Sequence, residues 1–183
     1  MAREFDFNKE KAFEERTNYL HFNHIERYLS QGFYMTDLIE INDIEMQRDG
    51  IDVQVDLDDG REIKIELKTD KHIDSPNLFL EDVSSFESKS VGWTMKCKAD
   101  ILSYGFYNEE TESLERLYFF HMPRLRKWFR KHYKKYEPKR IQNNGYHSRG
   151  RAVPIEDIKD FLLWDMNQAI ENATKKQMLS DFF

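Results

Sequence analysis

The sequence predicts a single mixed α/β domain, on three observations: a long helix-forming run at the start, two pairs of strand-like segments in the middle, and helical segments towards the end. Lys9 to Ser30 contains no Gly or Pro and is rich in helix formers, and Gly32 follows as a stop, which predicts one long helix. In IDVQVDL, Ile51, Val53, Val55 and Leu57 share one face and Asp52, Gln54 and Asp56 the other. In EIKIELK, Ile63, Ile65 and Leu67 oppose Glu62, Lys64, Glu66 and Lys68. Alternation of this kind marks half-buried strands, and Asp58-Asp59-Gly60 between them is a hairpin turn. Asp70 to Ser90 reads as irregular. ILSYGFY and LYFFH are aromatic, apolar strands separated by the polar turn Asn108 to Glu112. Pro123 opens a basic helix to about Tyr136, Gln142 to Arg151 reads as a loop with two glycines, AVPI as a short extended piece, and Glu156 to Ala173 as an amphipathic helix. With 183 residues, no repeat and no composition break, residues 1–173 form the domain around one sheet and 174–183 a tail.

Composition narrows the function classes. Apolar residues make up 39% and aromatic residues 14%, enough for a packed core. No apolar run reaches the roughly 18 residues that span a bilayer. The opening MAREFDFNKE carries charges where a signal peptide needs an apolar stretch, so a cytoplasmic protein, or one of the host cytoplasm if viral, is expected. A single cysteine, Cys97, excludes an internal disulfide and a multi-cysteine zinc site. The net charge of −6 is unevenly spread: Arg116 to Arg151 holds 12 Lys or Arg against the one acid Glu137, and the rest of the chain 16 basic against 33 acidic residues. Such a chain can turn one cationic face to phosphate.

The hairpin register follows from the apolar pattern. A two-residue turn would set Asp52 beside Leu67, an acid against a core leucine. A three-residue loop with Gly60 left-handed pairs Val55 with Ile63 and Val53 with Ile65, and keeps the apolar side chains together. Asp52 then lies opposite Glu66, and Lys68 projects from the same face. Like charges directly opposite destabilise a sheet, so the pair calls for a cation. Two carboxylates beside an ammonium suit a hard divalent ion that binds phosphate oxygens and an attacking water. Glu62-Ile63-Lys64 is a second acid-x-lysine triplet, with Glu62 opposite Asp56; it sits by the exposed turn, whereas Glu66 is flanked by Ile65 and Leu67. Either triplet alone also fits a solvated strand face.

QRDGID followed by IELK resembles the PD-(D/E)xK nuclease superfamily, in particular phage and mobile-element members, and GWTMKCKADILSYGF resembles a segment seen in them. The resemblance covers roughly residues 15 to 156. It implies a restriction-endonuclease-like mixed sheet flanked by helices, and hydrolysis of phosphodiester bonds with Mg²⁺ or Mn²⁺. DNA is the expected substrate, and RNA stays open. By that resemblance Asp52 matches the first motif acid, Glu66 and Lys68 the second motif, and the Leu67 carbonyl a third metal ligand. Gln47 precedes the motif, and Gly50 permits a sharp turn before the acid. Many members place an acid on the first helix; here Glu14, Glu15 and Glu26 are available, with His21 at the best-aligned position. Lys98 is an accessory candidate for a phosphate.

Arg124, Arg126, Lys127, Arg130 and Lys131 alternate with Leu125, Trp128 and Phe129, which predicts a helix packed by its apolar face with cations outward for nucleic acid, joined by Arg149 from the next loop. In the tail, Leu179, Phe182 and Phe183 have the spacing of a sliding-clamp-binding box, with Lys176 where Gln is usual; the same phenylalanines would also suit docking on the domain itself. The rival to a nuclease is a non-catalytic nucleic-acid-binding or clamp-associated protein of the same fold.

Overall fold

The structure, a computed structural model, describes residues 7–143 and 145–169, with side chains from residue 13 on, residue 14 excepted. Leu179, Phe182 and Phe183 therefore lie outside the described residues. In chain order the elements are α1 (Phe7–Leu29), β1 (Met35–Glu40), α2 (Ile44–Arg48), β2 (Val53–Leu57), β3 (Glu62–Asp70), β4 (Asn77–Ser85), β5 (Ser90–Val91) and α3 (Trp93–Lys96). There follow β6 (Ile101–Asn108), β7 (Ser113–His121), α4 (Met122–His132), β8 (Pro138–Gln142), β9 (His147–Pro154), α5 (Ile155–Ile158) and β10 (Leu162–Asp165).

Two sheets organise the domain. The larger has the order β1-β2-β3-β6-β7-β10, with β3 and β6 parallel and every other pair antiparallel. The smaller, β5-β4-β9-β8, is antiparallel. Strand β6 lies between β3 and β7 and is buried from Ile101 to Tyr107, which is why its sequence is apolar on both faces. Ile101 and Tyr107 join Ile25 and Leu29 of α1 in one core; Leu102, Tyr104 and Phe106 join Leu78, Leu80, Leu125 and Phe129 in the other. The large sheet is thus covered by α1 on one face, and by the small sheet and α4 on the other.

The β2–β3 hairpin has the register the apolar pattern selects: Val53 faces Ile65, Val55 faces Ile63, and Asp56 faces Glu62. Gly60 has φ +82°, left-handed as a three-residue loop requires, and Leu57 N–H donates to the Arg61 carbonyl across it. The first helix, the β6–β7 pair and the basic helix also lie where expected.

Four expectations give way. Asp70 to Ser90 is not irregular but holds strand β4, and most of Gln142 to Arg151 belongs to β8 and β9, so there are two sheets rather than one. The small sheet hides because its inward face carries a charge cluster: Asp82, in line with Leu78 and Leu80, is buried against Arg149 and Arg151 at 2.7 and 3.3 Å. A charge at each of these core positions erases the apolar alternation by which a strand is read. Strand β1 was unforeseen because it is an edge strand with little buried surface. The continuous amphipathic helix expected from Glu156 to Ala173 is broken: α5 and one 3₁₀ turn lead into β10, residues 166–169 are helical again, and residues 170–173 lie outside the described residues. Trp164 stacks on Phe119 with centroids 4.9 Å apart, and that stacking secures Leu162–Asp165 as an added strand on β7.

Candidate active site

At its open end the β2–β3 ladder comes apart, and Asp52 takes over the edge of β3. The Leu67 N–H donates to the Asp52 carboxylate (Oδ2, 2.8 Å) where a continuing strand would have offered a carbonyl. N–H and C=O of one strand residue point the same way, so the Leu67 carbonyl also faces the Asp52 side. Gly50, two residues earlier, turns the chain with φ +75° and lies so close to Cys97 that a side chain there would meet its sulfur at 2.9 Å. The Cys97 thiol in turn donates to the Gly50 carbonyl at 3.3 Å. A short α2, capped by the Asp43 carboxylate on the N–H groups of Glu45 and Met46, brings Gln47 to the same opening.

Glu66 and Lys68 complete the group. Lys68 Nζ lies 2.6 Å from Glu66 Oε1, with 3% of the Glu66 side chain exposed and 36% of that of Lys68. The second oxygen, Glu66 Oε2, is buried with no hydrogen-bond partner. Burial, reinforced by Asp52 and only partly offset by Lys68, pushes the Glu66 carboxyl up to about 7. Burial works against the charge of Lys68, but Glu66 and Asp52 outweigh it and hold its ammonium above the usual lysine range. Beside them the Cys97 thiol is pushed up to about 12 by burial and by Glu66, which leaves it a neutral packing group.

Asp52, Leu67 and Lys68 border a cavity of about 320 Å³ that is walled on one side by α1, with Glu66 buried beside Lys68. Along the inner face of that helix run Thr17, His21, Ile25 and Leu29, all buried. Its first half is polar where it crosses the cavity and its second half apolar where it covers the sheet. That strip, at i, i+4, i+8 and i+12, was the sequence signal for Thr17, which lines the cavity together with Asn18; the motif reading missed both. His21 does not supply a charge: Nδ1 pairs with Ser103 Oγ at 2.7 Å and Nε2 with Thr69 Oγ1 at 3.1 Å. Burial lowers its pKa to about 3, so it stays neutral and ties α1 to the end of β3 beside Lys68.

The accessory and basic candidates are placed differently. Glu26 is exposed on α1, away from the cavity lining. Gln47 lines the cavity while its amide donates to the Ile41 carbonyl at 2.8 Å. Lys98 is drawn off to Asp49, at 2.8 Å, and does not join Glu66. On α4, the Arg126 and Arg130 guanidiniums hold the carbonyls of Cys97 and Met95 and brace α3, Arg126 half-buried and Arg130 exposed. Arg124, Lys127 and Lys131 are exposed and, among the described residues, form no ion pair. Arg149 is engaged by Asp82. Trp93 is half-buried, with its ring centroid 5.4 Å from Lys68 Nζ.

Among the described residues no three His, Cys, Asp or Glu side chains converge to hold an ion. The donor set is instead two carboxylates and a carbonyl, with one carboxylate oxygen buried and unpartnered. That set is incomplete for zinc but fits Mg²⁺ or Mn²⁺, which keep waters and share their coordination with a phosphate. Compared by sequence, the chain matches no protein-family model and no curated protein. No helix among the described residues is long and apolar enough to cross a membrane.

Proposed function

We propose that the chain is a metal-dependent nuclease of the PD-(D/E)xK type, hydrolysing phosphodiester bonds in nucleic acid, with DNA the first substrate to try. The observation that carries this reading is a buried, half-unpartnered carboxylate, Glu66, set against Asp52 and Lys68, which themselves line an open cavity. A carboxyl that costs the fold stability when ionised has a use if a cation arrives to neutralise it.

Asp52, Glu66 and the Leu67 carbonyl would hold the ion. Bound there, Mg²⁺ or Mn²⁺ supplies Lewis-acid polarisation of a phosphate oxygen and activation of water at neutral pH. Glu66 releases its proton as the cation binds. Asp52, fixed by the Leu67 N–H, keeps one oxygen orientation throughout. Lys68 retains its proton because both carboxylates hold it there, so its role is that of a fixed cation. It donates a hydrogen bond to the attacking water or to a phosphoryl oxygen and stabilises charge growing on the phosphate. His21, neutral and doubly bonded, keeps Thr69 and hence the end of β3 in place.

The test is a cleavage panel of linear, circular, single-stranded and branched DNA and of RNA, with Mg²⁺, Mn²⁺ or EDTA. Cleavage of at least one substrate with metal and none in EDTA is expected. Binding without cleavage under every metal condition would leave a nucleic-acid-binding protein of this fold.

A further inference from the structure

The cavity beside Asp52 does not end at Lys68. Phe13, Lys68 and Thr69 form its wall and equally the wall of a larger cleft of about 660 Å³, which runs between the end of β3 and the small sheet. Deeper in, the cleft is lined by Phe79 of β4, Trp93 of α3 and Tyr104 of β6, with Lys71 and Lys139 among its other lining residues. We infer that this cleft is a single-strand channel, in which unstacked bases lie against the recessed rings of Trp93 and Phe79 while Lys71, Lys139 and Lys68 carry the phosphates towards Asp52. The inference deepens the nuclease reading by naming the form of the substrate, and it rests on that reading for the direction in which the strand runs.

Three features support it. The rings are recessed and held. The backbone N–H of Trp93 donates to the Glu81 carboxylate on β4 at 3.4 Å, Arg126 and Arg130 clamp the carbonyls that follow it, and the Tyr104 hydroxyl spans the sheets, accepting from the Phe79 backbone N–H and donating to Asp70. A double helix keeps its base faces stacked inside and cannot present them to rings at the bottom of a cleft; a single strand can, and stacking of this kind tolerates any base. The charges are also right. The acid of the cleft, Asp70, is occupied by the Tyr104 hydroxyl and by His72 N–H, whereas the ion pair of Lys71 to Glu109 is exposed and readily exchanged for phosphate. Lys139 stands exposed on β8, an edge strand of the small sheet. Finally, the small sheet, whose β4 and β8 strands supply Phe79 and Lys139, is fixed by the buried Asp82–Arg149–Arg151 cluster, so the far wall is rigid before any strand enters.

Binding is measured in EDTA, where nothing is cleaved, with labelled oligothymidylate, oligouridylate and a duplex of matched length. The parent should bind a single strand at least about tenfold tighter than the duplex, with quenching of tryptophan fluorescence. Trp93→Phe should keep affinity within about threefold and lose most of the quenching, whereas Trp93→Leu should weaken single-strand binding roughly fivefold or more. Lys71→Glu with Lys139→Glu, both at exposed positions, should weaken it about tenfold and reduce the log–log salt slope by at least about 1.4. The oligouridylate arm decides between DNA and RNA. Equal binding of duplex and single strand, or a lysine pair that changes neither affinity nor slope, overturns the channel, even if Trp93→Leu fails to fold. A parent that shows the single-strand preference but cleaves nothing with metal leaves the channel standing and removes the nuclease reading. Metal-dependent cleavage without the preference does the reverse.

Discussion

The β2–β3 hairpin carries the same pattern twice. Near its turn, Asp56 faces Glu62, and Lys64 lies 3.7 Å from Glu62 with 37% of the lysine and 52% of the glutamate side chain exposed. At its open end, Lys68 lies 2.6 Å from Glu66, of whose side chain 3% is exposed, and the charge of Asp52 acts on both. Residue types and spacing are alike, and only the surroundings differ. Water screens the outer set, so its ion pair contributes little and neither acid is asked to do anything. The inner set sits under α1 and α3, where an ionised carboxylate is costly and an added cation can be worth much. An acid-x-lysine triplet becomes a candidate centre through what buries it.

The largest expected effects break this comparison at the level of chemistry. Asp52→Ala should lower metal-dependent cleavage at least about a thousandfold, while Asp56→Ala leaves it within about twofold. Lys68→Ala should cost about a hundred- to a thousandfold in rate, in line with loss of one preorganised charge, with Lys64→Ala near parent. Single-turnover rates on one substrate measure all four. Equal losses at both ends of the hairpin would mean that the hairpin matters only for folding.

An intermediate effect concerns stability without metal. The Glu66 carboxyl ionises near 7 in the fold against 4.5 ordinarily, so between those values the folded chain holds a proton that the unfolded chain has lost. Its contribution is fully present below the lower value, decays as pH rises, and is gone above the higher one, a fall of up to about 3 kcal/mol. Denaturant titrations of Glu66→Gln in EDTA should show that fall removed, leaving the variant more stable than the parent at pH 8 and similar near pH 4. Glu62→Gln should retain the parental profile. Metal affinity should run the other way, rising about tenfold per pH unit below 7 and levelling above it, with about one proton released per ion by calorimetry.

The smallest effect sharpens how nucleic acid reaches the inner set. Neutralising Arg124, Lys127 and Lys131 together should flatten the salt dependence of duplex binding by up to roughly 0.9 for each phosphate that these cations would neutralise. Arg126→Ala and Arg130→Ala should act by loosening α3, seen as reduced thermal stability with the slope retained. An unchanged slope in the first set would place α4 away from the substrate.

The hairpin was legible because its physics is local: apolar alternation and one glycine fix the register from Val53 to Leu57, which sets Glu66 and Lys68 on β3. Asp52 lies just past the end of the ladder and reaches the Leu67 N–H instead of pairing with Glu66. The apolar run of β6 was legible as a strand, but its parallel pairing with β3 is a long-range choice that the run alone does not encode. The small sheet was illegible for a physical reason: its inward positions include Asp82 and Arg151, which satisfy one another only when β4 and β9 are side by side. The partners of Lys98, Arg126, Arg130 and Arg149 were illegible in the same way, because each is distant in sequence. A charge count registers cations but not which of them are already engaged.

The most direct test of the central claim is a side-by-side cleavage assay of parent, Glu66→Gln and Glu62→Gln with Mn²⁺ on one labelled substrate, each shown folded by circular dichroism. Glutamine keeps the shape of the side chain and removes the charge that would hold the ion. The account predicts equal cleavage by parent and Glu62→Gln and none by Glu66→Gln. Cleavage by Glu66→Gln at the parental rate would contradict it, as would loss of activity in Glu62→Gln alone.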